Sequence, residues 1–150
     1  MKEFKIIVQS TLMQALSERI VDLKSSLEDL KEAGQSETKS SAGDKYETGR
    51  EMIKQEREKY QQVLEDYEKQ LEIVKNFKPD KIFLKAVPGS LVVTDSMVFY
   101  ISVAYGKLKA GDSDVFAISP NAPVAQLLME KAAGDTYVLN GKVAKIISIC

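Results

Sequence analysis

The first half of the chain carries an apolar residue every three or four positions, which is the spacing of the buried side of a long helix. The first series is Met13, Leu16, Ile20, Leu23, Leu27 and Leu30. The second series is Ile53, Tyr60, Val63, Tyr67, Leu71 and Val74, with Glu56 interrupting it and Phe77 closing it. This spacing predicts two helices that each pack lengthwise on another helix. The first series stops at Ala33-Gly34, and since glycine favours a helix C-terminus, we expect the first helix to end there.

Two helices of similar length joined by a short polar segment pack most simply as an antiparallel hairpin. Arms of roughly 27 to 30 residues, at ~1.5 Å per residue, would be on the order of 40 Å long. A homodimeric coiled coil is the alternative interpretation of the same pattern. The matched arm lengths around residues 34–49 favour the hairpin.

The second half of the chain has short apolar segments separated by Gly, Asp and Asn turns, which is typical of β-strands. The predicted strands are residues 91–94, 97–103, 114–118, 136–139 and 143–149. The segment APVAQLLMEKA from Ala122 fits a short helix with proline in its first turn. The predicted fold class is therefore α+β, with an N-terminal antiparallel coiled-coil hairpin followed by a small antiparallel sheet holding one helix.

The charge distribution separates the same two halves. Residues 1–80 carry 14 basic and 17 acidic side chains, whereas residues 81–150 carry 7 and 5. All four prolines follow residue 78, and KPDKIFLKAVPGS has the residues of a connection. We therefore predict a hairpin over residues 1–77 with its tip near 35–49, a linker over 78–88, and a C-terminal domain over 89–150.

Composition narrows the possible chemistry. The chain has no histidine, which removes Ser-His, Cys-His and His-metal sites. Its 21 basic and 22 acidic residues nearly cancel, so independent DNA binding is not expected. The single cysteine, Cys150, has no partner for an internal disulfide. Because no apolar run is long enough for a signal peptide or a membrane span, we expect a soluble, cytoplasmic protein that does not bind a membrane.

The stretch AGDKYETG, residues 42–49, places Asp44 and Glu47 three residues apart between the two helical series. An acidic N-cap followed by Glu three positions later is the pattern of a capping box. The same two carboxylates could also offer oxygens to a divalent cation. The spacing by itself leaves both interpretations open.

Two stretches carry a family resemblance. Residues 43–51, GDKYETGRE, are similar to a tip pattern G-D-L-S-E-N-A-E-Y, with matches at Gly43, Asp44 and Glu47. Residues 122–135 are similar to S-P-x-x-x-A-L-x-G-K-x-x-G-D, with matches at Pro123, Leu128, Lys131, Gly134 and Asp135. Both patterns belong to the bacterial Gre transcript-cleavage factors. The resemblance covers nearly the whole chain and implies that the C-terminal domain is FKBP-like.

The resemblance also implies a function. The hairpin of a Gre factor enters the secondary channel of RNA polymerase and brings its tip carboxylates to the polymerase active site. Asp44 and Glu47 would there help to hold Mg²⁺ shared with the polymerase, which then cleaves the 3′ end of backtracked RNA. The chain would not itself be an enzyme, would contact the RNA 3′ end only indirectly, and would need no cofactor when isolated.

Arg50 motivates the alternative function. It falls at the third acidic position of the family tip and reverses the charge there, although Glu51 is adjacent. A non-cleaving regulator of the secondary channel with the same fold is therefore the second hypothesis. A third is a prolyl isomerase or peptide-binding domain dimerised by its coiled coil, but the few aromatic residues of the second half are expected to be mostly core.

Overall fold

Two long helices form the N-terminal half of the molecule. The computed structural model describes the backbone of residues 1–39 and 43–150, and the side chains of residues 1–35 and 48–150. Helix α1 spans Lys2–Lys39 and helix α2 spans Gly43–Asn76. The Arg19 Nη1 atom donates to the Tyr67 hydroxyl at 3.3 Å, whereas further along α1 Gly34 faces Ile53, which comes earlier in α2. The helices are therefore antiparallel, which is the predicted hairpin.

The first helix does not end at Gly34, and this prediction is wrong. Helix α1 continues to Lys39. A Cβ atom built on Gly34 would lie 3.6 Å from the Ile53 Cγ2 atom, which is ordinary van der Waals contact. Gly34 therefore lies on the side of α1 that meets α2. A glycine inside a helix costs only about 1 kcal/mol, which pairing of the two helices can offset.

The C-terminal half is a six-stranded sheet with one short helix. The strands are β1 (Leu91–Thr94), β2 (Val98–Ile101), β3 (Gly106–Ala110), β4 (Ser113–Ile118), β5 (Thr136–Leu139) and β6 (Lys142–Ile149). Helix α3 spans Pro123–Leu128, between β4 and β5. The strands lie in the order β3-β4-β2-β1-β6-β5. The predicted α+β class is confirmed.

The sheet departs from the prediction in two ways. Strand β3 was not expected, because Gly106-Lys107-Leu108-Lys109-Ala110 is too polar to resemble a strand. Strands β2 and β4 pair in parallel, whereas the other neighbouring strands pair antiparallel. The chain passes from β2 to β3 at the edge of the sheet and then returns as β4, which lies between β3 and β2. Because β4 runs antiparallel to β3, it runs parallel to β2.

Both faces of the central strands are buried, because side chains alternate between the two faces of a sheet. One face carries Val92 and Phe99, which belong to a core cluster with Leu128 of α3. The other face carries Leu91 and Tyr100, neither of which is exposed. The Phe77 ring, just beyond α2, meets the Tyr100 ring edge-on at 6.5 Å between centroids. Burial also raises the pKa of Tyr100.

By its internal contacts the chain divides into two units. One unit comprises Met1–Gln14 and Glu72–Cys150, and the other comprises Ala15–Leu71. Each long helix thus contributes residues to both units. The linker and domain bounds drawn from the sequence stay a prediction. Within the described part of the chain, no helix is long and apolar enough to span a membrane.

In the first unit, two buried polar side chains of α1 hold the end of α2 and the segment after it. The Gln9 Nε2 atom donates to the carbonyl oxygens of Val74 at 2.7 Å and Phe77 at 3.0 Å, at the end of α2 and just beyond it. The Lys5 Nζ atom donates to the Lys81 carbonyl at 2.7 Å. Lys5 is fully buried, and this desolvation lowers its pKa.

Candidate functional site at the hairpin turn

The predicted site residues fall where α1 gives way to α2. Helix α2 begins at Gly43, so positions 44 and 47 lie in its first turns. Positions three apart share one side of a helix. The side chains of Asp44 and Glu47 lie outside the described residues, so their proposed roles as cap, metal ligand and catalytic pair stay predictions.

The first described side chains after these two belong to residues 48–51. Thr48, Arg50 and Glu51 are exposed, and Gly49 is half-buried. Arg50 follows position 47 by three residues, so it lies about one turn further along α2, whereas position 44 is six residues back and about 120° round the helix. A positive charge therefore follows the two predicted acidic positions along the helix.

A groove between the helices runs next to the turn. Its cavity volume is about 1250 Å³, and both α1 and α2 line it. Its basic lining residues are Lys24, Lys31, Arg50, Lys54 and Arg57, and its acidic ones are Glu28, Glu51 and Glu58. The groove thus has an excess of positive charge, although the whole chain carries a net charge of -1.

This groove is not evident from the sequence pattern of either helix. Lys31, Lys54 and Arg57 follow the solvent-facing pattern of their helices, which is the ordinary place for a charge. Only the pairing of α1 with α2 brings them to the same groove. The groove could have been predicted from the antiparallel register of the hairpin, because that register sets residues near 24–35 of α1 opposite residues near 50–61 of α2.

A polar pair interrupts the apolar side of α2 within this region. Glu56, which the sequence marked as an interruption, is half-buried, and the Tyr60 hydroxyl donates a hydrogen bond to its carboxylate. This hydrogen bond raises the pKa of Tyr60. The carboxylate therefore has a partner within its own helix.

The structure assigns no metal centre among the side chains it describes. Over residues 1–35 and 48–150, no group of three or more Asp, Glu, Cys or His residues is placed to hold a metal ion. The predicted magnesium ligands, Asp44 and Glu47, lie outside that range. Two carboxylates alone are an incomplete donor set for Mg²⁺, which prefers six oxygen ligands.

The second motif, in residues 122–135, has structural roles. Pro123 begins α3, and Leu128 is fully buried in the core cluster. Gly134 has a φ of +94°, which favours glycine, and the Asp135 Oδ2 atom accepts a hydrogen bond from the Ala132 backbone nitrogen at 2.8 Å. These residues build the turn between α3 and β5.

The comparisons with known proteins are sparse. No protein-family model matches the chain, and no curated protein matches its sequence significantly. Among solved structures, the transcription factor Gfh1 is similar with a TM-score of 0.38 and 15% identity, over 93% of this chain and 93% of that chain. This is a coarse likeness to a transcription factor, and at this score it carries no argument about function.

Proposed function

We propose that this chain is a Gre-type transcription factor that binds RNA polymerase and inserts its hairpin turn into the secondary channel. The observation that supports the proposal is the place of residues 43–47, which open α2 at the turn of an antiparallel hairpin. The part of α1 in the hairpin unit, residues 15–39, is about 37 Å long at ~1.5 Å per residue. A pair of helices of this length can carry side chains into a channel too narrow for a globular domain.

In the proposed mechanism, Asp44 and Glu47 complete a site that the polymerase begins. An Mg²⁺ ion shared with the polymerase would stabilise the attacking and leaving oxygens during cleavage of backtracked RNA. Asp44 would be the main carboxylate ligand, and Glu47 would orient the attacking water or complete the ligand set. The basic lining of the groove would favour the nearby RNA phosphates through charge. The endonuclease would remain the polymerase, in the cytoplasm, and the factor would bind neither membrane nor free DNA.

One observation favours a second function, a channel-binding regulator that does not cleave. Arg50 lies about one helical turn after position 47, where the Gre tip pattern has an acidic residue. A guanidinium one turn from position 47 would compete with a metal ion for the charge of that carboxylate. The tip would then enter the channel without supporting hydrolysis.

The test uses purified protein and RNA polymerase stalled in a backtracked complex with Mg²⁺. Shortened RNA with the wild type, lost in Asp44→Ala and Glu47→Ala, would support the cleavage factor. Glu68→Ala is the matched control, because Glu68 is an exposed carboxylate of α2 outside the turn, and it should cleave like the wild type.

Polymerase binding is measured in the same samples by co-elution. If the wild type binds and cuts nothing, the non-cleaving regulator replaces the cleavage factor. In that case Arg50→Glu, which restores the acidic position of the tip pattern, should gain cleavage. A wild type that fails to bind polymerase contradicts both functions.

A further inference from the structure

The two edges of the sheet differ in charge. Strands β3 and β5 lie at the ends of the strand order. Strand β3 carries Lys107 and Lys109, and lysines on an edge strand discourage pairing with a further strand. Strand β5 reads Thr136-Tyr137-Val138-Leu139, which has no charge, proline or glycine and consists mainly of residue types that favour strands. The sheet therefore discourages pairing at its β3 edge but not at its β5 edge.

The backbone of β5 presents hydrogen-bonding groups to this edge. Facing residues of an antiparallel pair alternate between bonded and non-bonded pairs. The Ile146 nitrogen donates to the Asp135 carbonyl at 2.9 Å, in the register of β5 with β6, so this pair is bonded. Thr136 and Val138, one and three positions further along, are then non-bonded towards β6. Their N–H and C=O groups therefore point to the open edge.

Exposed apolar side chains lie next to the same edge. Val138 is 55% exposed, and Val143 of β6, which faces it across the pair, is 69% exposed. Ile147 is 54% exposed and shares the face of Val143, because it is four positions further along the strand. Apolar side chains that cluster on a surface beside an unpaired edge mark a place where a partner binds.

We propose that two copies of this chain pair through β5, antiparallel, about a two-fold axis at Tyr137. Thr136 of each copy then lies opposite Val138 of the other. These are the residues whose backbone groups point to the edge, and each supplies one donor and one acceptor. The two strands therefore exchange about four hydrogen bonds, and every outward group of β5 has a partner.

The side chains fit the same axis. A two-fold axis perpendicular to the sheet leaves Val138 of both copies on one face, as diagonal neighbours about 7 Å apart. The exposed apolar face then continues from Val143 of one copy to Val143 of the other. Such an interface uses the same surface on both subunits, so it closes at the dimer.

Charge complementarity favours a second copy over a different strand. Asp135 precedes β5, and Lys142 of β6 faces Leu139. In the proposed dimer, Asp135 lies opposite Leu139 of the second copy, so two strand spacings, roughly 10 Å, separate its backbone from that of Lys142 in that copy. The long lysine side chain covers most of this distance. The two-fold axis creates this contact twice, and β5 brings no charge against itself.

The size of the interface sets the expected affinity. A strand of four residues with a few apolar side chains buries less area than the ~1,200 Å² at which stable interfaces begin, so we expect a dissociation constant of about 100 µM. The proposal depends only on β5 and β6. It therefore stands or fails independently of the hairpin turn and its carboxylates.

The test measures the mass of the full chain by sedimentation equilibrium. Samples run from about 10 µM to about 1 mM, on either side of the expected dissociation constant. A reducing agent prevents disulfides between copies through Cys150. Val138→Lys gives β5 the kind of charge that β3 carries. Val21→Lys is the matched control, because Val21 is 65% exposed on α1 and outside the sheet.

The expected result is a mass that rises with concentration from 16.7 kDa towards twice that value and no further. Val138→Lys should weaken the association at least about tenfold, whereas Val21→Lys should change it by less than about twofold. Amide exchange followed by nuclear magnetic resonance locates the contact in the wild type. The amides of Thr136 and Val138 should exchange at least about threefold more slowly at the highest concentration, while those of Lys107 and Lys109 should not change.

Four outcomes would overturn the proposal. They are a monomer at every concentration, growth beyond the dimer, equal association of the wild type and Val138→Lys, and an unchanged exchange rate at Thr136 and Val138. Circular dichroism confirms that the variants fold. Because amide exchange uses the wild type, the proposal stays testable even if Val138→Lys does not fold.

Discussion

The same two helices are packed in different ways at their two ends. Where α1 begins and α2 ends, Val8, Leu12 and Val74 are fully buried. Toward the turn, among the described residues 21–35 and 48–63, no side chain is buried. The apolar series continues there through Leu23, Leu27 and Leu30, but these side chains stay half-exposed. An apolar repeat therefore predicts which side of a helix pairs, while the depth of burial depends on what surrounds the pair.

The difference in packing accompanies a difference in polar chemistry. At the end where α1 begins and α2 ends, which we call the first end, Lys5 and Gln9 are buried polar side chains that donate to backbone carbonyls. Toward the turn, charged side chains line an open groove instead. Stability is thus expected to concentrate where α1 begins, leaving the turn end available for binding, as is usual for functional segments.

Truncating a buried leucine at the first end should have the largest effect. Leu12→Ala is expected to lower the free energy of unfolding by about 3 kcal/mol, because it leaves a cavity at a fully buried position. Leu27→Ala makes the same chemical change at a half-exposed position and should cost about 1 kcal/mol. Urea unfolding followed by circular dichroism measures both. Equal losses would remove the contrast between the two ends.

A change of backbone in the turn before β1 should come next. Gly89 has a φ of +91°, and a Cβ atom there would lie 2.8 Å from the Phe77 Cδ1 atom. Gly89→Ala should therefore cost about 2 kcal/mol, through strain at positive φ and a clash with the ring. Gly141→Ala is the control, since its φ is +77° but no atom lies within 4 Å. If both variants lose the same stability in urea, the contact with Phe77 has no measurable cost.

Much of the fold could be predicted because its signals are local. The helix pairing follows from the three-and-four spacing, and five of the six strands follow from short apolar runs between turns. Strand β3 is an edge strand, where lysines are common because they discourage pairing with other chains, so its sequence lacks an apolar run. The end of α1 was misplaced because the contact between Gly34 and Ile53 is not visible in either helix alone.

The candidate site was predictable only in part, for a similar reason. Asp44 and Glu47 could be named because they are neighbours in the sequence. The groove could be predicted only from the register of the two helices, because that register brings together residues such as Lys31 and Arg57. From the sequence, Lys5 would be expected on the surface, as lysines usually are. Its burial depends on a hydrogen bond to the Lys81 carbonyl, 76 positions later in the chain, which the sequence does not reveal.

Hydrogen exchange compares the two ends without any substitution. Amides of residues 23–30 and 53–60 should exchange at least about tenfold faster than those of residues 8–20 and 64–74, because the first group lies in the half-exposed part of the hairpin. The intact protein is exchanged and then digested, and mass spectrometry of the peptides measures both groups of amides in one sample. Uniform protection along the two helices would show that burial does not set local stability here.

The smallest effect concerns the buried amine that marks the first end. Desolvation lowers the pKa of Lys5 in the folded protein, with opposing contributions from Cys150 and Asp80 that raise it and a further lowering by Lys81. Between the lowered pKa and 10.5, the unfolded chain binds more protons than the folded one at this site, so stability at this site increases as pH rises.

Lys5→Met removes this dependence while keeping a side chain of similar length. The difference in unfolding free energy between wild type and Lys5→Met should therefore move in favour of the wild type as the pH rises toward 10.5. Lys2→Met, which removes one positive charge from the exposed start of α1, is the matched control. A difference that stays constant or moves the other way with pH would mean that hydrogen bonding to the Lys81 carbonyl outweighs desolvation at Lys5.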